Sequence, residues 1–174
     1  MNGQNALDLH ETSHELQGTP ALLSTLLAGL PDRALACHPG AGKWCIKEVI
    51  GHLIEEDKRD FVGRIQMMLE QEEPALPLND QEEVARLRHD CEKNLRALLD
   101  EFSAVRSSSV TFVTKLTQPQ LDCSGVHPKI GRIRVAELLY EWIYHDLNHV
   151  KQIGTNIQHF LWDHLGNMQH FYQH

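Results

Sequence analysis

The chain has 174 residues and a formal charge of −8. That length supports one domain, residues 1–174, with a sizeable core. The acidic balance and the lack of a Lys/Arg run speak against a nucleic-acid backbone as partner. No apolar stretch is long enough to span a bilayer, so no membrane partner is expected. Met1 to His14 is polar and lacks a signal-peptide core. Cys37, Cys45, Cys91 and Cys123 show no C-x-x-C pairing and read as reduced thiols, which points to the cytoplasm.

Leu7 to Leu30 reads as helix, with Leu9, Leu16, Leu23, Leu27 and Leu30 at three- and four-residue spacing. Pro20 removes one backbone donor, so a kink or a restart with Thr19 as N-cap is expected. Pro31-Asp32 ends this element. Pro39, Gly40 and Gly42 make Leu35 to Lys43 a loop. A second helix opens at Trp44-Cys45, with Cys45 at the N-cap and Glu48 completing a capping box. Ile46, Ile50, Leu53, Phe61, Ile65 and Met68 give it a buried face. Asp57 interrupts that face and needs a partner or water.

Asp80 with Glu83 starts a third helix. Val84, Leu87, Cys91, Leu95, Leu98, Phe102 and Val105 step by three or four, so one helix is expected through to about Leu116. Gln118 to Gly131 is irregular and long enough to cross a bundle. From Val135 to Gln158 the pattern is helical again. Ala136, Tyr140, Ile143, Leu147 and Val150 form one stripe; Leu138, Trp142, His145, His149 and Gln152 form its neighbour. Phe160 to Tyr172 is aromatic and reads as a last short helix. The fold class is therefore all-α, a four-helix bundle with a short C-terminal helix and no sheet. The tail aromatics Phe160, Trp162, Phe171 and Tyr172 suggest a homodimer.

His145 and His149 stand at i and i+4, one turn apart on one helix face, where neutral imidazoles can share a divalent metal. His52, just off the apolar stripe of the second helix, is the third candidate ligand. His127 is the runner-up. The other histidines are not expected to be ligands. Three histidines leave a coordination position open, as catalytic metal sites do. Zinc and nickel both accept imidazole, so the donor set does not choose between them.

The stretch Trp44-Cys45-Ile46-Lys47-Glu48-Val49-Ile50-Gly51-His52-Leu53 resembles the W-S-x-x-E-x-x-x-H-L block of the DinB-like family of helical-bundle metalloproteins. His127-Pro128 with Gly131 resembles the segment before that family's last main helix. His145-Asp146-Leu147-Asn148-His149-Val150-Lys151-Gln152-Ile153 resembles its H-D-x-x-H-x-x-Q-I block. Residues Trp162 to Gln169 are similar to tails of the same group. The chain departs from the pattern at two helix caps, where Cys45 replaces Ser and Arg134 replaces Thr.

The resemblance implies a four-helix bundle and a divalent metal on His52, His145 and His149. It also implies an acidic position at Asp57, which orients a ligand imidazole or accepts a proton; the alternative is a hydrogen-bonded or solvated carboxylate. Asp146 reads as a capped or solvated acid. The expected function is a metal-dependent enzyme acting on a small molecule. Some relatives are S-transferases that use a low-molecular-weight thiol as cosubstrate, and thiol transfer is the favoured reaction. The alternatives are a metal-dependent hydrolase and a non-catalytic stress or binding protein whose metal ties helices together.

Overall fold

Apolar residues recurring at helical spacing produce helices that pack into a bundle in the structure, a computed structural model that describes residues 7–172. The expectations for the polar start before Leu7 and for His174 lie outside those residues. Helix α1 spans Leu9–Leu27, and the Asp8 carboxylate caps it by accepting from the His10 and Glu11 amides. The helix runs through Pro20 without a restart. Pro20 has no N–H to offer the carbonyl of Leu16 one turn back. That carbonyl accepts instead from Arg106 Nη1 at 2.8 Å. A four-residue helix α2 (Asp32–Leu35) precedes the loop that leads to α3.

The second long helix is α3 (Ile46–Glu55), a π-helical segment (Glu56–Val62) and α4 (Gly63–Glu70) joined without a break. Cys45 is the N-cap, and Glu48 Oε2 accepts from its N–H at 2.7 Å. In a π segment each hydrogen bond reaches one residue further than in an α-helix. Here the wider turn carries Glu56, Asp57, Asp60 and Phe61 all into the interior.

The single helix expected from Val84 to Leu116 is two helices. Helix α5 (Gln81–Arg88) starts at Asp80, whose carboxylate accepts from the Glu83 amide at 3.0 Å. It stops at His89, which is left-handed at φ 51°. After one 3₁₀ turn (Asp90–Glu92), Asn94 caps α6 (Leu95–Val113). The break is held by buried Asp90, which accepts from Arg88 Nε at 2.7 Å and Lys93 Nζ at 2.8 Å. Asp90 also packs on Gly51, where a Cβ would run into its carboxylate. Apolar periodicity does not register a polar anchor of this kind. Leu87, assigned to the buried stripe, is 64% exposed. Helix α6 does continue through Ser107-Ser108-Ser109, as its phase predicts.

Among the described residues, 118–134 hold a two-stranded sheet, a departure from an all-α class. A 3₁₀ turn (Gln118–Asp122) leads into strands β1 (Ser124–His127) and β2 (Gly131–Arg134), paired antiparallel with Ser124 opposite Arg134. The expectation of no sheet is corrected by this small hairpin. Gly131, at φ 81°, supplies the left-handed residue that its turn requires. Helix α7 (Val135–Trp162) follows at once, with Glu137 Oε2 accepting from the Arg134 amide at 2.8 Å. The tail is a 3₁₀ helix (Gly166–Tyr172) that leaves Phe171 and Tyr172 exposed. No helix among the described residues is long and apolar enough to cross a membrane.

Helices α1 and α3 each pack on both α6 and α7. On α7 the stripe of Leu138 and Trp142 faces inward, whereas Tyr140 and Leu147 of the neighbouring stripe are exposed. The apolar interior falls into two clusters. One includes Leu16, Phe61, Val113 and Trp142; the other includes Leu23, Leu53, Phe102 and Ile153. On each long helix, a polar residue sits in sequence between the two: Thr19, Asp57, Arg106 and Asp146, all buried.

Arg106 joins this layer. Its Nε and Nη2 donate to Asp57 at 2.8 Å each. Nη2 also donates to Asp146 Oδ1 at 3.0 Å, and Nη1 to Asp146 Oδ2 and to the Leu16 carbonyl. All five guanidinium N–H groups are thereby used. Trp142 Nε1 donates to Asp57 at 3.0 Å and Thr19 Oγ1 to Asp146 at 2.6 Å. Removing one partner of a buried ion pair strands the other charge. Arg106→Met should therefore cost on the order of 3–5 kcal/mol in urea unfolding. A loss under 1 kcal/mol would contradict the central role of this residue.

Candidate metal centre

Helix α3 presents His52 from its last full turn, just before the π segment. Helix α7 presents His145 and His149 one turn apart. The structure brings all three predicted ligands to one point. His145 Nε2 lies 3.2 Å from His52 Nε2 and 3.1 Å from His149 Nε2. Trp44 lies beside His52, and Phe61 meets His145 edge-on.

Burial pushes His52 down to about 2, with the neighbouring His149 and His145 adding to the effect. Burial and His149 push His145 down to about 4, and burial lowers His149 as well. All three are therefore neutral near pH 7. His149 Nδ1 faces the Gln152 Oε1 acceptor at 2.7 Å, so it carries the proton and leaves Nε2 bare. His145 Nε2 cannot then satisfy both of its neighbours. As a donor it has one hydrogen for two partners, and as an acceptor it finds no proton on His149. Three converging lone pairs of this kind fit a divalent cation, and the donor set is one that zinc and nickel both take. His145 Nδ1 is buried without a hydrogen-bond partner among the described residues.

Through His145 the group borders a cleft of about 690 Å³ that is also lined by Glu56, Asp60, Arg64, Glu141 and His127 among others. His127 thus forms part of the cleft wall and is not one of the converging nitrogens. Glu56 Oε1 is 3.7 Å from His52 Nδ1, beyond hydrogen-bond length, and accepts from Gln81 Nε2 at 3.1 Å. Burial, reinforced by Asp60, pushes the Glu56 carboxyl up to about 8.

Asp57 has both oxygens engaged by Arg106 and Trp142, and none of its hydrogen bonds goes to a histidine. Burial raises it, although Arg106 acts in the opposite direction. Asp146, expected as a capped or solvated acid, is 2% exposed and held by Arg106 and Thr19. Sequence reasoning missed Glu56 and Arg106. Glu56 stands one turn after His52, but within Glu55-Glu56-Asp57 it reads as part of a solvated acidic run. Arg106 falls four after Phe102 and three before Ser109, and that phase was its signal.

The chain is similar to several known proteins. The sequence profile of the DinB superfamily matches residues 15–153. Two proteins of Oceanobacillus iheyensis are similar along most of their length. "Putative metal-dependent hydrolase OB0413" is 26% identical over 84% of this chain and 83% of its own. "Putative metal-dependent hydrolase OB0782" is 21% identical over 84% of each. The solved structure of YfiT from Bacillus subtilis, described as a "probable metal-dependent hydrolase with an unusual four-helix bundle topology", superposes with a TM-score of 0.79. It is 18% identical, over 92% of this chain and 93% of that one, and the likeness is one of fold.

The depressed histidine values set a pH dependence. The unfolded chain takes up protons below the ordinary value of about 6.5, while the fold refuses them. The histidines' contribution is complete above that value and is lost as pH falls toward about 4 for His145 and about 2 for His52. Glu56, Asp57 and Glu141, all raised, act in the opposite direction, but four histidines are lowered, His127 as well as the three that converge. Metal-free protein should lose unfolding free energy between pH 6.5 and 4. His145→Asn should make that loss shallower in urea titrations at each pH.

Proposed function

Since the chain belongs to the DinB superfamily, we propose that it is a divalent-metal-dependent enzyme that hydrolyses a small molecule bound in the cleft beside His145. One observation carries the reading: three neutral imidazoles converge, and one of them, His145, lines the cleft. His52, His145 and His149 would hold the ion, which supplies Lewis acidity toward water or a substrate oxygen. An open cleft beside three ligands favours chemistry over a metal that only ties helices. The names of the two Oceanobacillus relatives support hydrolysis.

Glu56 is the chain's own group placed for proton transfer. It borders both His52 and the cleft, and Gln81 orients one of its oxygens. Phe61 and Trp44 shield the imidazoles from water on their apolar sides. The cleft wall also bears on the substrate. It carries the acids Glu56, Asp60, Asp80, Glu82, Glu137 and Glu141 against the bases Arg64 and Lys129. Such a wall favours a neutral or amine-bearing substrate. Transfer to a low-molecular-weight thiol is the competing reaction. No cysteine lines the cleft, so the cosubstrate would bring its own sulfur, and the acids would repel an anionic thiol.

Metal analysis of purified variants tests the ligands. The wild type should carry one ion on these histidines. His52→Ala, His145→Ala and His149→Ala should each weaken its binding roughly 10- to 100-fold or more, and His164→Ala should leave it unchanged. Full retention in His52→Ala would remove the cross-helix site. Turnover of the zinc- or nickel-loaded protein on amide and ester panels, with and without added thiols, separates hydrolysis from transfer. Glu56→Gln should lower kcat roughly 10²-fold while metal content holds. Unchanged kcat would exclude Glu56 as the proton-transfer group.

A further inference from the structure

A second set of donors gathers away from the cleft, at the start of α3. The loop after α2 brings His38, the N-terminus of α3 brings Cys45 and Glu48, and the 3₁₀ turn after α5 brings Cys91. One donor atom from each lies within 4.8 Å of every other. Cys45 Sγ and Cys91 Sγ are 2.7 Å apart. His38 Nε2 is 2.9 Å from Glu48 Oε2 and 4.0 Å from Cys91 Sγ. Cys45 precedes His52 by seven residues, about 10 Å along a helix, so this group is separate from the three histidines.

We propose that His38, Cys45, Glu48 and Cys91 form a second divalent-metal site, closed by four protein ligands and selective for zinc. The donors are two sulfurs, one imidazole and one carboxylate. That number and mixture suit tetrahedral zinc, which would spread the two sulfurs from 2.7 Å to about 3.8 Å, and the sulfurs select against hard ions such as magnesium. Two neutral thiols make only a weak hydrogen bond, and the turn is docked on α3 by Asp90 against Gly51 and by Lys47 Nζ on the Cys91 carbonyl, which brings the four donors together before any ion binds.

Burial holds both thiols above their ordinary range without metal. A bound cation reverses this, since a coordinating thiol is deprotonated. Binding thus releases one proton from each cysteine, and no electrons move. Two thiolates and the Glu48 carboxylate against a dication leave one negative charge. Buried Lys47 lies beside it, with Nζ 3.3 Å from the Cys91 carbonyl oxygen and 2.6 Å from Asp32 Oδ1, so its charge is shared with that carboxylate. Cys45 forms the closed inner side, and exposed His38 forms the outer side through which an ion can enter. The role is structural: the ion would staple the break between α5 and α6 to the base of α3, the helix that carries His52.

Cobalt titration of the reduced full-length protein tests the site. Tetrahedral cobalt on thiolate gives a ligand-to-metal charge-transfer absorption that cobalt on imidazole lacks. The wild type should show that absorption, Cys91→Ser should lose it, and His52→Ala should keep it. Retention in His52→Ala also separates this site from the three-histidine one, whose failure would leave the thiolate signal intact. In a second measurement on the wild type, zinc at about ten times its dissociation constant should slow alkylation of Cys91 about tenfold. Cys37 and Cys123 should react as before. The proposal is overturned if reduced, folded wild type shows no thiolate absorption at saturating cobalt. It is equally overturned if Cys91 alkylation ignores zinc, or if Cys45 and Cys91 respond only by forming a disulfide under oxidant.

Discussion

The bundle depends on one buried guanidinium. Arg106 is fully buried, and its five donors reach α1 through the Leu16 carbonyl, the π segment through Asp57 and α7 through Asp146. No apolar side chain could set the same constraint. Hydrophobic packing is non-directional and tolerates small slips, whereas a planar fork satisfied on every edge admits one rotation of each helix. The free Leu16 carbonyl is itself a product of Pro20, so a residue that weakens α1 as a helix also docks it. The layer need not add net stability over an apolar equivalent. Its evident effect is registry.

That registry places the histidines. Asp146 is the residue after His145, so the contact that holds Asp146 under Arg106 also fixes the rotation of α7. His145 and His149 are then presented toward α3. On the other side, Asp57 lies in the π segment that follows His52 by one turn. The two arms of the Arg106 fork therefore end within a few residues of the two halves of the site. Asp57 sits near the histidines in sequence because it sets the position of their helix, and its hydrogen bonds go to Arg106 and Trp142.

Much of this was legible in the sequence. The helix phases of α1, α3, α6 and α7, the start of α7 at Val135, and the convergence of His52, His145 and His149 all follow from spacing and ordered blocks. What escaped is polar. The break at His89 depends on Asp90 finding Gly51, a contact between residues far apart in the chain. The exposure of Tyr140 and Leu147 depends on which of two adjacent stripes the Asp146 contact turns inward. The hairpin at Ser124–Arg134 is set by a glycine turn too short to give a strand period. Apolar periodicity reports that a face is buried; it does not report which partner a buried charge will find.

The same layer bears on the charge of the site. Two carboxyls share one guanidinium, and burial answers by pushing Asp57 up. Asp146, facing the histidine side of α7, acts against the burial that lowers His145 and His149. Arg106, paired with that acid, adds to the lowering of His145, and burial prevails, so the three imidazoles stay neutral at their common point. A proton would have to settle on one ring and lose its solvation. A divalent ion could draw on all three lone pairs at once. The interaction that sets the registry of the helices thus also brings three uncharged imidazoles to one point.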